Sequence, residues 1–309
     1  MAYLVEGQFI KNWEDVRLHS KTIHFQSRSV GEWVTADEFA PNRFTLVCGW
    51  GDPWSHRTTL VHSFLQLGGL IDIVYVSPEY GDLGWRLETP IQSYSLVTDL
   101  YLAEDTSFTG RVTIPLLWDR LQNKIVNNDS LLISKIFCEL ARENTDLYPS
   151  EKTKETDFLI QFIHERINNG VYKIGFSNTQ NIYNKMSDSF FSALFILEHR
   201  LRNTRFLLGN EITLCDFILL PTLVRFNEIY FPCMKCTAHR LEDFPNLWAY
   251  YLELLSMPYI ANTIDYQKIV ATYYTLEFIN PSMIIPNTHR QENSLVSESR
   301  EYEIYTAPF

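Results

Sequence analysis

Two short apolar runs enclose a stretch with helical spacing in the first third of the chain, and this arrangement constrains the fold most. Residues 44–48 form a β-type run that ends in turn-forming residues 49–52. From Pro53 onward, apolar side chains recur at helical spacing as far as a Gly-Gly pair at 68–69, and residues 71–76 resemble a second strand. A β-α-β unit of this short spacing predicts two parallel strands.

A second pair of apolar runs follows after an irregular stretch. Residues 113–118 and 124–126 predict two strands around a polar turn, and Asn-Asp-Ser at 128–130 has the composition of a helix start. The order β-α-β followed by β-β-α is that of a thioredoxin-like α/β domain, which we expect over residues 43–145.

The periodicity becomes helical in the second half of the chain. Strand signals are scarce in residues 151–275, and Thr213 and Asp216 have the spacing of a capping box at a helix start. This segment predicts an all-α domain. Residues 1–42 are weakly periodic and predict an extension packed on the body of the protein, and the polar residues 276–309 predict a C-terminal tail.

Composition excludes several function classes. A chain of 309 residues with 46% hydrophobic and 20% charged residues has room for two folded domains. The net charge of −11, without any Lys/Arg-rich run, argues against a nucleic-acid partner. No run approaches the roughly 20 apolar residues of a membrane span, and the first residues do not resemble a secretory signal. Five irregularly spaced cysteines predict neither a disulfide framework nor a metal site. We therefore expect a cytoplasmic protein.

Three groups of segments carry motifs that occur together in one family. They are residues 53–57 (PWSHR), residues 109–119 (TGRVTIPLLWD) with 125–130 (IVNNDS), and residues 167–176 (INNGVYKIGF) with 221–226 (PTLVRF), extended by 246–248, 273–274 and 279–281. Together they resemble the glutathionyl-hydroquinone reductases, also called Xi-class glutathione transferases. The resemblance covers roughly residues 43–281, and the combination of motifs is highly specific.

The resemblance implies a glutathione-transferase fold, an α/β thioredoxin-like N-terminal domain followed by an all-α domain, with glutathione as co-substrate. It implies a cis peptide bond before Pro115, where the Ile114 backbone would bind the cysteinyl part of glutathione. Asp129 and Ser130, at a helix start, would bind the γ-glutamyl end. The family has Glu where this chain has Asp129. The glutathione-binding positions implied by the resemblance are Trp85, Arg111, Ile114, Pro115, Asp129 and Ser130.

The resemblance also implies an acceptor site for a small molecule. Tyr172, Tyr230 and Tyr273 match family tyrosines that line a pocket for aromatic substrates, where a phenol can both stack on a ring and hydrogen-bond an oxygen. A homodimer is a further implication of the resemblance.

One departure from the family concerns the catalytic position. The family places a cysteine immediately before Pro-Trp, at a helix N-terminus that lowers the pKa of its thiol. This chain has Asp52 there, which cannot form a mixed disulfide, so we expect the reductase activity to be lost. Asp52 is either a helix N-cap or a general base or polar anchor for substrate. Activation of a glutathione thiol would then fall to Trp50, Ser55, backbone amides or the helix dipole.

Other cysteines are poor substitutes for the missing nucleophile. Cys48 lies inside the first strand and is expected in the core. Cys233 and Cys236 form a CxxC that neither follows a strand at a helix start nor has a second pair to complete a zinc site.

Three functions remain open from the sequence. The first is a glutathione-transferase-like enzyme that acts on a small electrophilic or aromatic/quinonoid substrate without a cysteine nucleophile, by conjugation, elimination or isomerisation. The second is a non-catalytic protein that binds glutathione or another small molecule. The third is a specialised enzyme that uses Asp52 for acid/base chemistry without glutathione.

Overall fold

A mixed six-stranded sheet forms the centre of the first half of the chain in the computed structural model, which describes residues 3–10 and 40–286. Its order is β6-β5-β4-β3-β8-β9, and a smaller sheet has the order β2-β1-β7. The strands are β1 (Tyr3–Val5), β2 (Gln8–Ile10), β3 (Phe44–Gly49), β4 (Ile71–Val76), β5 (Arg86–Ile91), β6 (Tyr94–Leu96), β7 (Gly110–Arg111), β8 (Leu116–Asp119) and β9 (Lys124–Asn127).

The helices of the described residues follow the same chain order. They are α1 (Pro53–Phe64), α2 (Val97–Glu104), α3 (Ser130–Leu140), α4 (Thr153–Ile163), α5 (Gly170–Gly175), α6 (Gln180–Arg200), α7 (Leu214–Arg225), α8 (Phe231–Cys233), α9 (Pro245–Leu255), α10 (Pro258–Ala261) and α11 (Tyr266–Tyr274). Single π-helical turns connect α4 to α5 (His164–Asn168) and α7 to α8 (Phe226–Tyr230).

The predicted β-α-β unit is confirmed. β3 and β4 pair in parallel from Phe44 opposite Ile71 to Gly49 opposite Val76, and α1 connects them. Every residue of β3 is buried, as expected for a strand with a neighbour on each side. This strand therefore ends in the interior, and the loop that follows it carries Asp52 to the start of α1.

The predicted hairpin after residue 113 is also confirmed, with a later start. β8 and β9 pair antiparallel, but β8 begins at Leu116 because the Ile114–Pro115 peptide bond is cis and the residues before it leave the sheet. The predicted cis peptide is thus present. Ile114 and Ser130, the first residue of α3, line the same cleft.

The stretch expected to be irregular contains regular structure. Residues 86–104 form the β5–β6 hairpin and α2. β5 buries only Leu87 and Ile91 and contains Pro90, so its sequence lacks the alternation of a half-buried strand.

The predicted N-terminal extension packs on the body where it is described. β1 pairs antiparallel with β7, placing Tyr3 opposite Arg111, and both Tyr3 and Leu4 are buried. Most of the remaining extension, residues 11–39, lies outside the described residues.

The second half of the described chain is helical, and the two halves together confirm the thioredoxin-like and all-α fold class. α7 is buried along its whole length, which is typical of the central helix of a helical core. The predicted capping box starts it: the Asp216 carboxylate accepts from the Thr213 backbone N–H at 2.8 Å. The division at residues 43–145, 151–275 and 276–309 remains a prediction, and residues 287–309 of the tail lie outside the described part. Within residues 3–10 and 40–286, no helix is both long and apolar enough to cross a bilayer.

Candidate active site

Asp52 is the N-cap residue of α1. Its Oδ2 accepts hydrogen bonds from the Ser55 backbone N–H at 2.7 Å and from the Ser55 hydroxyl at 2.6 Å. Pro53, at the first helical position, has no N–H to satisfy. Burial raises the pKa of the Asp52 carboxyl, and the Ser55 hydrogen bonds and the nearby Arg225 charge oppose this rise. Asp52 is therefore the helix cap and, at the same time, a carboxylate that is partly shielded from water.

The Ser55 hydroxyl is hydrogen-bonded both as a donor and as an acceptor. It donates to Asp52 and accepts from the Gly49 backbone N–H at 3.1 Å, and the residue is fully buried. In this structure its one proton is directed to the Asp52 carboxylate, and the role of Ser55 in activating a glutathione thiol stays a prediction. Ser55 has the geometry of a positioning residue.

Arg225, at the end of α7, holds the loop that carries Asp52. Its guanidinium donates to the carbonyl oxygens of Trp50 and Gly51, both at 2.9 Å, and to Nδ1 of His56 at 3.0 Å. Arg225 is fully buried, and the His56 Nε2 is 3.0 Å from the Thr263 hydroxyl. Burial and the Arg225 charge lower the pKa of His56, so the imidazole is neutral and structural.

The loop also packs closely against the helical half through Gly51. A Cβ at Gly51 would collide with the side chain of Thr272 on α11. Only glycine fits this approach, so the position of Asp52 is set by the sheet on one side and by α7 and α11 on the other.

A cleft of about 400 Å³ lies between the two halves at this loop. Asp52 lines it together with six other residues that the sequence singled out. These are Trp50, Trp85, Arg111, Ile114, Tyr172 and Tyr273. Asp52 and Arg111 are the only Asp, Glu, Lys or Arg side chains among its described lining residues.

Trp50 forms one layer of an aromatic and cationic stack. Its ring lies 3.7 Å from the Tyr75 ring at an interplanar angle of 11°, and Lys268 Nζ lies 4.3 Å from its ring centroid. The indole Nε1 is buried and has no hydrogen-bond partner among residues 3–10 and 40–286. Trp50 therefore lines the cleft, and its N–H is an unused donor.

The three tyrosines meet through their hydroxyl groups. Tyr172 Oη lies 2.7 Å from Tyr273 Oη and 3.2 Å from Tyr230 Oη, and the last two are 3.1 Å apart. Burial raises the pKa of all three phenols, so they are neutral hydrogen-bonding groups. Tyr172 and Tyr273 line the cleft, whereas Tyr230 is fully buried behind them and supports the cluster.

A second cleft, of about 490 Å³, adjoins the first along Trp54, Thr113 and Ile114. Pro115, Asp129 and Ser130 line this one. The six predicted glutathione-binding positions are therefore divided between two neighbouring clefts, with Ile114 facing both.

The backbone of Ile114 has unused hydrogen-bonding groups. Both backbone groups of the preceding Thr113 are bonded to the Tyr101 hydroxyl, at 3.1 Å and 3.0 Å. Among residues 3–10 and 40–286, neither the N–H nor the C=O of Ile114 has a partner. Since buried backbone groups are almost always paired, this edge is suited to a peptide-like ligand.

The start of α3 offers donors to an anion. Asp129 Oδ1 caps the helix by accepting from the N–H groups of Leu131 and Leu132, at 2.8 and 3.1 Å. The Ser130 N–H has no partner in the described part of the chain, and Arg57 Nη1 lies 3.5 Å from the Ser130 hydroxyl. A carboxylate placed here would meet an amide, a hydroxyl and a guanidinium.

The sequence did not single out Arg57 or Arg225 as site residues. Arg57 is buried, stacks over Trp54 at 4.4 Å and donates to the Asn168 side chain at 3.1 Å. Its Nε has no partner within the described part of the chain. Burial lowers the pKa of Arg57 to about 10. The PWSHR and PTLVRF motifs contained both arginines, but nothing in the sequence shows that one faces a cleft and the other binds a loop.

The cysteines lie elsewhere. Cys48 is buried in β3, where burial raises the pKa of its thiol, and Cys138 and Cys215 are buried in α3 and α7. Cys233 is half-buried at the end of α8, and burial raises the pKa of Cys236 to about 12. None of these cysteines lines either cleft in the described structure.

Comparisons with known proteins agree on one group of relatives. The family model for the glutathione S-transferase C-terminal domain matches residues 180–253. Glutathionyl-hydroquinone reductase PcpF of Sphingobium chlorophenolicum is 32% identical, over 93% of this chain and 96% of its own length. The glutathione-bound structure of YqjG, a glutathione transferase homolog from Escherichia coli K-12, is 30% identical, covering 92% of this chain and 94% of that one, with a TM-score of 0.80. The Xi class GST from Natrialba magadii is 29% identical, covers 93% of both chains and has a TM-score of 0.84.

Proposed function

Because the chain belongs to the family of the glutathionyl-hydroquinone reductases, or Xi-class glutathione transferases, we propose that it is a glutathione transferase that works without a cysteine nucleophile. Glutathione is the co-substrate, and a small aromatic or quinonoid electrophile is the acceptor. Asp52 takes the position of the family cysteine. The reaction is conjugation, in which the glutathione sulfur itself attacks the acceptor.

The observation that carries this proposal is the sharing of one cleft by Asp52, Ile114, Tyr172 and Tyr273. The unpaired Ile114 backbone groups suit the cysteinyl residue of glutathione, and the donors at Ser130 suit its γ-glutamyl carboxylate. A tripeptide bound along these two positions has its thiol next to the start of α1. This is the proposed location of the reacting sulfur.

Asp52 is the general base in this proposal. Its carboxylate takes the thiol proton as the sulfur–carbon bond forms, so no thiolate needs to persist beside a second negative charge. Burial raises the pKa of Asp52, which makes the carboxylate a stronger base. The Ser55 hydrogen bonds fix its position.

The tyrosine hydroxyls receive the charge that develops on the acceptor. When sulfur adds to a quinone, an electron pair moves to the conjugated carbonyl oxygen, which takes a proton from the hydroxyl cluster. The attacked ring carbon then loses its proton to water and the second oxygen gains one, which yields a glutathionyl-hydroquinone, and water returns a proton to the hydroxyl cluster. When the acceptor is an aryl chloride, the carbon–chlorine bond breaks and chloride leaves. In both cases the proton on Asp52 returns to water.

Two measurements test the proposal. Titration calorimetry with glutathione should show binding at millimolar concentration or below, and its absence removes the proposal. The wild type should then accelerate conjugation of 1-chloro-2,4-dinitrobenzene or 2-methyl-1,4-naphthoquinone above the uncatalysed rate. Asp52→Asn should lower kcat by roughly 100-fold, the usual size of a general-base contribution, with glutathione affinity unchanged. A wild type that binds glutathione but accelerates neither reaction is a binding protein.

A further inference from the structure

We propose that Phe176 and Phe278 form an aromatic shelf at the mouth of the acceptor cleft, and that the acceptor is a ring that carries an apolar aryl or alkyl substituent. This inference rests on the proposed function, because it assigns the outer part of the same cleft. Phe278 is its specificity-determining residue.

The shelf is continuous with the tyrosine cluster. The Tyr172 ring stacks with the Phe176 ring at 6.4 Å and 16°, and the Phe176 ring stacks with the Phe278 ring at 6.3 Å and 30°. These distances lie within the range of stacked aromatic pairs. Three rings therefore form one series that starts at the hydroxyl groups of the acceptor site.

This series leads from the interior to solvent. Tyr172 is half-buried, whereas Phe176 is 56% exposed and Phe278 is 52% exposed. Both phenylalanines line the same cleft as Asp52. A ligand whose oxygen meets the tyrosine hydroxyls can therefore extend along the two exposed rings.

The residues around the aromatic shelf favour an uncharged substituent on the acceptor. Leu276 and Ile279 line the cleft beside Phe278, and its two charged lining residues, Asp52 and Arg111, belong to the proposed glutathione side. The chain carries a net charge of −11, which disfavours an anionic substituent. Burial of an apolar substituent against exposed rings is the favourable interaction that remains.

Binding of unreactive phenols tests the shelf without conjugation. Three tryptophans, Trp50, Trp54 and Trp85, line the cleft, so quenching of tryptophan fluorescence reports occupancy. We expect 4-phenylphenol to bind the glutathione-saturated wild type roughly tenfold more tightly than phenol, because the second ring buries apolar surface.

Variants at Phe278 test whether this residue causes the preference for 4-phenylphenol over phenol. Phe278→Ala should abolish the tenfold advantage of 4-phenylphenol and leave the affinity for phenol unchanged, and Phe278→Tyr should retain the advantage. Phe195→Ala, which removes a 49% exposed ring outside both clefts, is the matched control and should change neither affinity.

Each outcome distinguishes the two proposals. Equal wild-type affinities for the two phenols, or a Phe278→Ala variant that keeps the advantage of 4-phenylphenol or weakens both ligands equally, would overturn the shelf and leave the proposed function standing. A wild type that binds neither phenol would overturn the acceptor site, and with it both proposals.

Discussion

Arg225 Nη2 donates a hydrogen bond to the Trp50 carbonyl oxygen at 2.9 Å, which joins the helical half of the protein to the loop before Asp52. The same guanidinium binds the Gly51 carbonyl at 2.9 Å. Two consecutive backbone carbonyls are thus held by one fully buried cation. The place of Asp52 in the cleft therefore depends on a residue of α7.

Arg225→Lys should destabilise the protein and impair the site together. A lysine has one ammonium group and cannot reproduce the planar fork that binds both carbonyls and His56. Each buried polar group left unpaired costs about 1–3 kcal/mol, so we expect a loss of at least about 2 kcal/mol in urea unfolding, together with a lower kcat.

Arg200→Lys is the control for this exchange. Arg200 forms a partly exposed ion pair with Glu155 at 2.7 Å, and such pairs contribute about 0–1 kcal/mol. It also donates to one backbone carbonyl, that of Leu207, at 2.9 Å, whereas Arg225 donates to three. If Arg225→Lys loses no more stability than Arg200→Lys, the loop does not depend on the guanidinium.

Ser55→Ala should shift the pH dependence of conjugation. The Ser55 hydroxyl bond stabilises the ionised form of Asp52, so its removal raises the pKa of that carboxyl further. Because the proposed reaction needs the carboxylate, the acidic limb of the kcat profile should move to higher pH. Ser63→Ala, on the same helix, should leave the profile in place. A Ser55→Ala variant whose rate falls equally at every pH would instead favour direct donation to the sulfur.

Asp52→Asn should stabilise the protein at neutral pH. Burial raises the folded-state pKa of Asp52 above its unfolded value of about 3.9. The contribution of this group to stability is therefore fully present below pH ~3.9 and is lost as the pH rises through the folded-state pKa. Asparagine carries no charge and is an equally good N-cap, so the Tm difference between variant and wild type should grow from pH 4 to pH 7.

Asp265→Asn, at the N-cap of α11, is the control for the cap exchange itself. If Asp52→Asn lowers Tm at pH 7 while Asp265→Asn does not, the Asp52 carboxylate stabilises the folded state more than its burial disfavours it.

The sequence predicted which backbone positions form the site better than it predicted the hydrogen bonds between them. The motifs placed Asp52 at a helix start and Ile114 before a cis proline, and both are found there. The partners of Arg225 around Asp52 could not be predicted, because they lie 169 to 175 residues away in the chain. The Ser55 proton goes to Asp52, only three residues away, but the sequence does not show which nearby acceptor takes it. The β5–β6 hairpin was missed since its short strands bury few residues.

Asp52→Cys tests whether the rest of the site still belongs to the reductases. A thiol at this helix N-terminus should have a lowered pKa, whereas the native cysteines are buried or half-buried. The variant should therefore gain one thiol that reacts rapidly with a disulfide reagent at pH 7. Ser63→Cys, near the C-terminal end of the same helix, should react more slowly because no helix N-terminus stabilises its thiolate.

If the acceptor cleft is that of the family, Asp52→Cys should also release the hydroquinone from a glutathionyl-hydroquinone, with a second glutathione regenerating the thiol. A reactive thiol without this activity would show that the acceptor cleft, with its Phe278 shelf, has diverged along with position 52.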